Sequence, residues 1–235
     1  MACVAVHFAQ GAVVAGLGYP LMSPARRRLA LQRFSARLAR LLAARLMVHG
    51  EPPGMRPYLL ASNHVSWLDI FVINAATPTR FVAKSEVRDW PLIGWLCVKA
   101  ETLFIERDRR RDLARIDALL ANALRDGAGM GVFLEGTTTD GREVLPFHGS
   151  LLRPAQITGT PIYPVAIRYL RGDGEICVEA AYDGDKSAFD TLKGMLTQRE
   201  FHVHVHFLPP LASGGAPRKA LALAAREAVV KTLYP

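Results

Sequence analysis

The sequence predicts an α/β protein: a mostly buried mixed sheet flanked by helices, preceded by an apolar and then amphipathic helical segment that binds membranes. Three observations carry this. Short apolar runs of strand length alternate with stretches of helical periodicity from residue 58 onward. Those runs are apolar throughout, as strands covered on both faces are. The 235 residues, half of them hydrophobic, suffice for one domain with a sizeable core.

From Met1 to Ser23 there is no Asp, Glu, Lys or Arg. As a helix this stretch is roughly 33 Å long, about the thickness of a bilayer core. Residues 24–48 predict a second helix. Arg26, Arg33, Arg37 and Arg40 share one face, and Leu31, Phe34, Leu38 and Leu42 the other. No acidic residue occurs before Glu51, so this helix suits an anionic bilayer surface. The first stretch reads as a membrane-inserted or re-entrant segment, against a buried apolar helix of the domain; if it spans, Arg26, Arg27 and Arg28 predict that the following domain lies on the cytoplasmic face of the inner or plasma membrane. Glu51-Pro52-Pro53-Gly54 then breaks the helix. The expected division is a membrane-associating segment at 1–50 and an α/β domain at 51–235.

Strands are predicted at 58–62, 81–83, 102–105, 131–134, 163–169, 175–180 and 201–208, with helices at 66–76, 91–98, 110–126, 186–198 and 217–232. Three strands end in polar groups: Asn63-His64, Glu106-Arg107 and Glu135-Gly136-Thr137. Open α/β sheets collect their chemistry at strand ends, so these are expected to share a site.

Lys and Arg number 29 against 21 Asp and Glu, a net charge of +8 that favours anionic partners without choosing among them. Cys3, Cys97 and Cys177 form no CxxC pair and read as buried hydrophobes. No metal is expected. His202, His204 and His206 alternate as the wet face of a strand whose Val203, Val205 and Phe207 point inward, with only Glu200 nearby to complete a ligand set. Nucleic acid is not expected as a partner, because the basic helix offers no stacking platform beyond Phe34.

The chemistry centres on His64 and Asp69, five residues apart. With a helix starting near Ser66, Asp69 sits in its first turn and can fold back onto the imidazole. A carboxylate on one ring nitrogen fixes the tautomer and raises the basicity of the other. The free nitrogen can then take a proton from an alcohol.

The company this pair keeps resembles the glycerolipid acyltransferases, the group that includes the 1-acylglycerol-3-phosphate acyltransferases. Asn63-His64 with Asp69 matches that family's His-four-residues-Asp block. Leu103-Phe104-Ile105-Glu106-Arg107 looks like its second block, whose arginine contacts the acceptor phosphate. Phe133-Leu134-Glu135-Gly136-Thr137 is similar to its Glu-Gly-Thr block, and Ile162-Tyr163-Pro164-Val165-Ala166-Ile167 to its proline-bearing strand. The blocks span about residues 58–170. Glu101, Leu134 and Thr138 depart from the family's usual glycine, proline and arginine. The stretch from Glu135 to Gly141 looks more like the branch that acylates lyso-ornithine lipid.

The resemblance implies an O-acyltransferase of phospholipid biosynthesis. It would move a fatty acyl group from an acyl-carrier-protein or acyl-CoA thioester to the free hydroxyl of a lysolipid, with no other cofactor. The leading acceptor is 1-acyl-sn-glycerol-3-phosphate and the alternative is lyso-ornithine lipid. His64 and Asp69 are the catalytic pair. Asn63, Arg107, Glu135, Gly136 and Thr137 are the candidate substrate-binding residues, with Glu135 either meeting an acceptor hydroxyl or holding its loop by accepting backbone N–H bonds. No acyl-enzyme is needed, and the chain has no Gly-x-Ser-x-Gly elbow and no cysteine beside a histidine. The rival of another class is a non-catalytic basic protein of the membrane surface.

Overall fold

The computed structural model describes residues 1–106 and 110–234. Seven strands form one sheet: β1 (Ala44–His49), β2 (Tyr58–Ser62), β3 (Arg80–Lys84), β4 (Leu103–Ile105), β5 (Gly129–Phe133), β6 (Ile162–Arg171) and β7 (Phe201–Phe207). Their order is β1-β7-β6-β2-β5-β3-β4. Neighbours run parallel except β6 and β7, so the sheet is mixed, as predicted. The helices are α1 (Ala2–Val13), α2 (Pro24–Leu41), α3 (Asp69–Ala76), α4 (Ile93–Lys99), α5 (Arg110–Arg125), α6 (Arg153–Thr158), α7 (Ala188–Thr197) and α8 (Arg218–Leu233).

Both faces of the sheet are covered. On one side Leu60, Val165 and Val203 pack with Leu38 of α2, Val72 of α3 and Met195 of α7. On the other, Leu59, Met130 and Val132 pack with Ile116, Leu120 and Leu124 of α5, Ala155 of α6 and Ala225 of α8. Ile116, Leu120 and Leu124 recur every fourth residue, one stripe of a helix, and are fully buried. Each contributes about 1.5–3 kcal/mol by leaving water. β2 and β5 are buried along their whole length, as strands walled on both sides must be.

The second helix expected through residue 48 ends at Leu41. Ala43 takes a positive φ of 57°, which turns the chain, and residues 44–49 become the edge strand β1 against β7. A run of β-compatible side chains finds a free sheet edge there, which the local pattern does not reveal. The strand expected at 175–180 is also absent. Gly174 turns the chain back toward β6, a single bridge joins Leu170 to Ile176, and turns then carry Cys177, Ala180 and Ala181 into the core. The short helix α6 had not been expected.

The N-terminal helix is continuous. Beyond α1 it passes through a π segment (Val14–Gly18) and a 3₁₀ turn (Tyr19–Leu21). Residues 2–21 have a mean hydropathy of 1.4, long and apolar enough to cross a bilayer by length and composition. This helix nonetheless lies against α2. His7 stacks on Phe34 with centroids 4.2 Å apart, and its Nε2 sits 3.0 Å from the Phe34 carbonyl oxygen. Gly11 makes the approach feasible, since a Cβ there would stand 2.5 Å from the Phe34 ring.

Candidate active site

Central strand β2 stops at Ser62, level with Phe133 of β5 and Val165 of β6. Three parallel strands therefore deliver their ends to one place, the edge of the sheet where such folds build sites. His64 leaves β2 there, and α3 begins at Asp69. The loop between them folds the Asp69 carboxylate back: Oδ2 lies 2.8 Å from His64 Nδ1 and accepts N–H bonds from Val65 at 2.8 Å and Ser66 at 3.0 Å. Oδ1 accepts a 2.6 Å bond from the Tyr169 hydroxyl. Asp69 is 0% exposed, so a charge at this position requires all these donors. Burial and the adjacent carboxylate push the Tyr169 phenol well above its ordinary value, keeping it a donor.

With Nδ1 directed at Asp69, Nε2 is the imidazole nitrogen left for a substrate. The ring is stacked on Phe133 at 3.8 Å and 11°, and Phe133 on Phe81 at 5.6 Å. The His64 side chain keeps 20% of its surface, and that surface lines a cavity of about 1290 Å³. This exceeds the ~300–1,000 Å³ common for small-molecule sites. Its walls are apolar: Phe8 of α1, Leu31 and Phe34 of α2, Phe71 of α3, Phe81 of β3 and Leu96 of α4. Four basic side chains, Arg33, Arg37, Lys84 and Lys99, and one carboxylate, Glu86, bring charge to its lining.

The residues expected at the site divide by role. Gly136 and Thr137 line the cavity beside His64. Gly136 has φ 78°, a left-handed conformation that glycine adopts without steric cost. Asn63 and Glu135, the other two candidate substrate-binding residues described, are engaged with backbone groups. Asn63 is buried, its amide donating to the Ile167 carbonyl oxygen at 3.0 Å and accepting from the Ile167 N–H at 2.8 Å. It latches the loop onto β6.

Glu135, 4% exposed, accepts the His64 N–H at 2.6 Å and the Leu145 N–H at 2.7 Å. Burial pushes its carboxyl up to about 7, against the opposing pull of those two N–H bonds. It holds the backbone, which is the second of the two roles expected for it. Arg107 lies outside the described residues. Tyr169 was missed, because a tyrosine inside an apolar strand carries no local mark of its partner 100 residues away.

The loop after Glu135 closes over the catalytic segment. Thr139 N–H bonds the His64 carbonyl oxygen at 3.0 Å and Tyr182 N–H that of Val65 at 2.9 Å, while the Thr138 hydroxyl donates to the Tyr182 carbonyl. Thr138 thus serves the loop from the position where the family resemblance expects an arginine.

A family model described as Acyltransferase matches residues 45–168, more than half of the chain. The chain belongs to the acyltransferase family. Among curated relatives of this acyltransferase, the lyso-ornithine lipid O-acyltransferase of Pseudomonas aeruginosa is 40% identical over 213 residues, 91% of this chain and 81% of that one. The protein of the same name from Brucella abortus is 38% identical, covering 79% and 74%. The 1-acyl-sn-glycerol-3-phosphate acyltransferase of Neisseria meningitidis serogroup B is 34% identical, covering 68% and 63%. The crystal structure of the 1-acyl-sn-glycerophosphate acyltransferase PlsC from Thermotoga maritima superposes with a TM-score of 0.67 at 22% identity, covering 98% of this chain and 93% of that one, and so shares the fold.

Proposed function

We propose that this acyltransferase acylates the free hydroxyl of a lysolipid with an amino-acid head group, of the lyso-ornithine type. The observation that carries the reaction is the buried Asp69–Tyr169 clamp behind His64, opening onto an apolar cavity. His64 Nε2 takes the proton of the acceptor hydroxyl as its oxygen attacks the thioester carbonyl carbon. The C–S bond then breaks, and the imidazolium returns the proton to the departing thiolate. Asp69 stabilises the imidazolium and holds the tautomer. A thioester is already activated, so alignment of two bound substrates supplies much of the rate. The donor is an acyl-carrier-protein or CoA thioester.

The head-group assignment reverses the order expected from sequence. Four relatives bearing the lyso-ornithine name are 36–40% identical and cover 71–91% of this chain, while the two neisserial glycerophosphate enzymes are 34–37% identical and cover 57–68% of it, so the longer matches fall in the lyso-ornithine group. Thr138 is committed to Tyr182, so the loop offers no guanidinium there to grip a phosphate. The apolar side chains exposed on α1 and the arginines of α2 favour membrane association, with the cavity walled by the same two helices.

The test offers the purified enzyme lyso-ornithine lipid and 1-acyl-sn-glycerol-3-phosphate, each with acyl-carrier-protein and CoA donors. The expected result is at least tenfold higher kcat/KM for lyso-ornithine lipid. A preference for the glycerophosphate overturns the head-group assignment, and transfer to water alone overturns the transferase mechanism.

A further inference from the structure

We propose that His49, His204 and His206 form a binding site for a divalent transition-metal ion of the zinc, cobalt or nickel class. The site lies on the β1–β7 edge, on the face of β7 opposite its core residues. Alternation along β7 buries Phe201, Val203, Val205 and Phe207 and leaves His204 and His206 half-buried on the other face. β1 runs parallel with His49 level with His206, so parity sends His49 to that same face. The histidine rack of one strand thereby gains its third ligand from another, a juxtaposition that depends on β1 being a strand at all.

The geometry is close to that of a ligand set. One ring nitrogen from each histidine lies within 4.8 Å of the others. His49 Nε2 and His204 Nδ1 are 2.9 Å apart, and the His49 and His206 ring centroids 4.2 Å. Zinc–imidazole bonds of ~2.0–2.1 Å put tetrahedral ligand nitrogens roughly 3.4 Å from one another. Closing the set takes shifts of about an ångström, within the rotamer freedom of partly exposed rings. Three imidazoles with no carboxylate select borderline metals over magnesium or calcium. A water would complete four-coordination.

The surroundings leave the lone pairs available. Arg168 faces His204 from β6, but its guanidinium is tied to the Leu233 carbonyl oxygen and lies over the Tyr234 ring. His202 sits one step further along β7, 3.3 Å from Glu200. The ion would replace the proton between His49 and His204, which moves to the outer nitrogen of the same ring. It would cross-link the edge strand β1, which directly follows α2 and has β7 as its neighbour in the sheet.

The experiment uses the full-length chain without a histidine tag, in detergent, titrated with Zn²⁺ by calorimetry and with Co²⁺ by visible absorption. The expected result is one ion per chain, bound at least tenfold more weakly by His49→Gln and His206→Gln and unchanged in His202→Gln. Zn²⁺ should also raise the melting temperature of the parent and not of those two variants. Circular dichroism without metal establishes that each variant folds, and His204→Asn replaces any that does not. Absence of saturable binding, binding indifferent to these substitutions, or an equal loss in His202→Gln overturns the site.

Discussion

Four donors converge on the two oxygens of Asp69, three of them to hold it in place and the fourth, His64, to use it in the reaction proposed above. The Val65 and Ser66 N–H groups and the Tyr169 hydroxyl hold the carboxylate still, so that its remaining capacity is spent on His64 Nδ1. His64→Ala should lower kcat by about 10³-fold or more, the scale of a lost general base. Asp69→Asn should cost on the order of 10²–10³-fold, because an amide in that bonding pattern favours the wrong tautomer. Tyr169→Phe should lower kcat by roughly 3–30-fold with KM little changed, since it removes one donor from the clamp and nothing from the cavity. Steady-state kinetics on folded variants check all three. An unaltered rate in Tyr169→Phe would assign that hydroxyl to packing alone. The His64–Asp69 pairing was legible in the sequence because its partners lie five residues apart. The Tyr169 bond was not, because sheet topology makes it.

Between elements, the working part is the clasp from Glu135 to the loops on either side. One carboxylate ties the segment after β2 to the segment leading into Leu145, while Asn63 ties the same segment to β6. Glu135 binds its proton more tightly folded, near 7, than unfolded, near 4.5. Between those values the folded chain holds the extra proton, so stability falls as pH rises, and the contribution is lost as pH passes through the upper value. Glu135→Gln should remove that slope. Urea unfolding at pH 5 and pH 8 measures it: the variant should lose less stability than the parent between the two. A parent with no slope over this interval would contradict the raised value. The sequence marked Glu135 as a site residue from the block it sits in. Whether its oxygens face a ligand or the backbone depends on the closure of the loop from residue 136 to 145, which no periodicity encodes. The edge strand β1 escaped for a similar reason, since a short run beside a helix becomes a strand only when an open edge is near.

For the whole molecule, the alternation of apolar runs and helical patterns was enough to read a buried mixed sheet, because burial on two faces leaves a compositional trace. The relation of the N-terminal helices to the site left none. Leu17 and Leu21 are 74% and 87% exposed. Neither lines the cavity, so they are the apolar surface that the membrane association proposed above would bury. Leu17→Lys with Leu21→Lys should weaken binding to anionic vesicles at least tenfold while leaving turnover of detergent-solubilised substrate within about twofold, each charge costing ~2.5–3.5 kcal/mol if carried into the hydrocarbon. Co-sedimentation and a micellar assay separate the two effects. A parallel loss of turnover in micelles would mean that these leucines support the fold instead.

Phe8 and Phe34 give this arrangement a broader consequence, because they belong to the two N-terminal helices proposed to meet the membrane and also to the lining of the chamber. On that proposal, grip on the bilayer and tolerance for a given hydrocarbon tail would be written into the same few turns. Swapping the first forty residues for a foreign anchor would therefore alter which chains the enzyme accepts as well as where it resides.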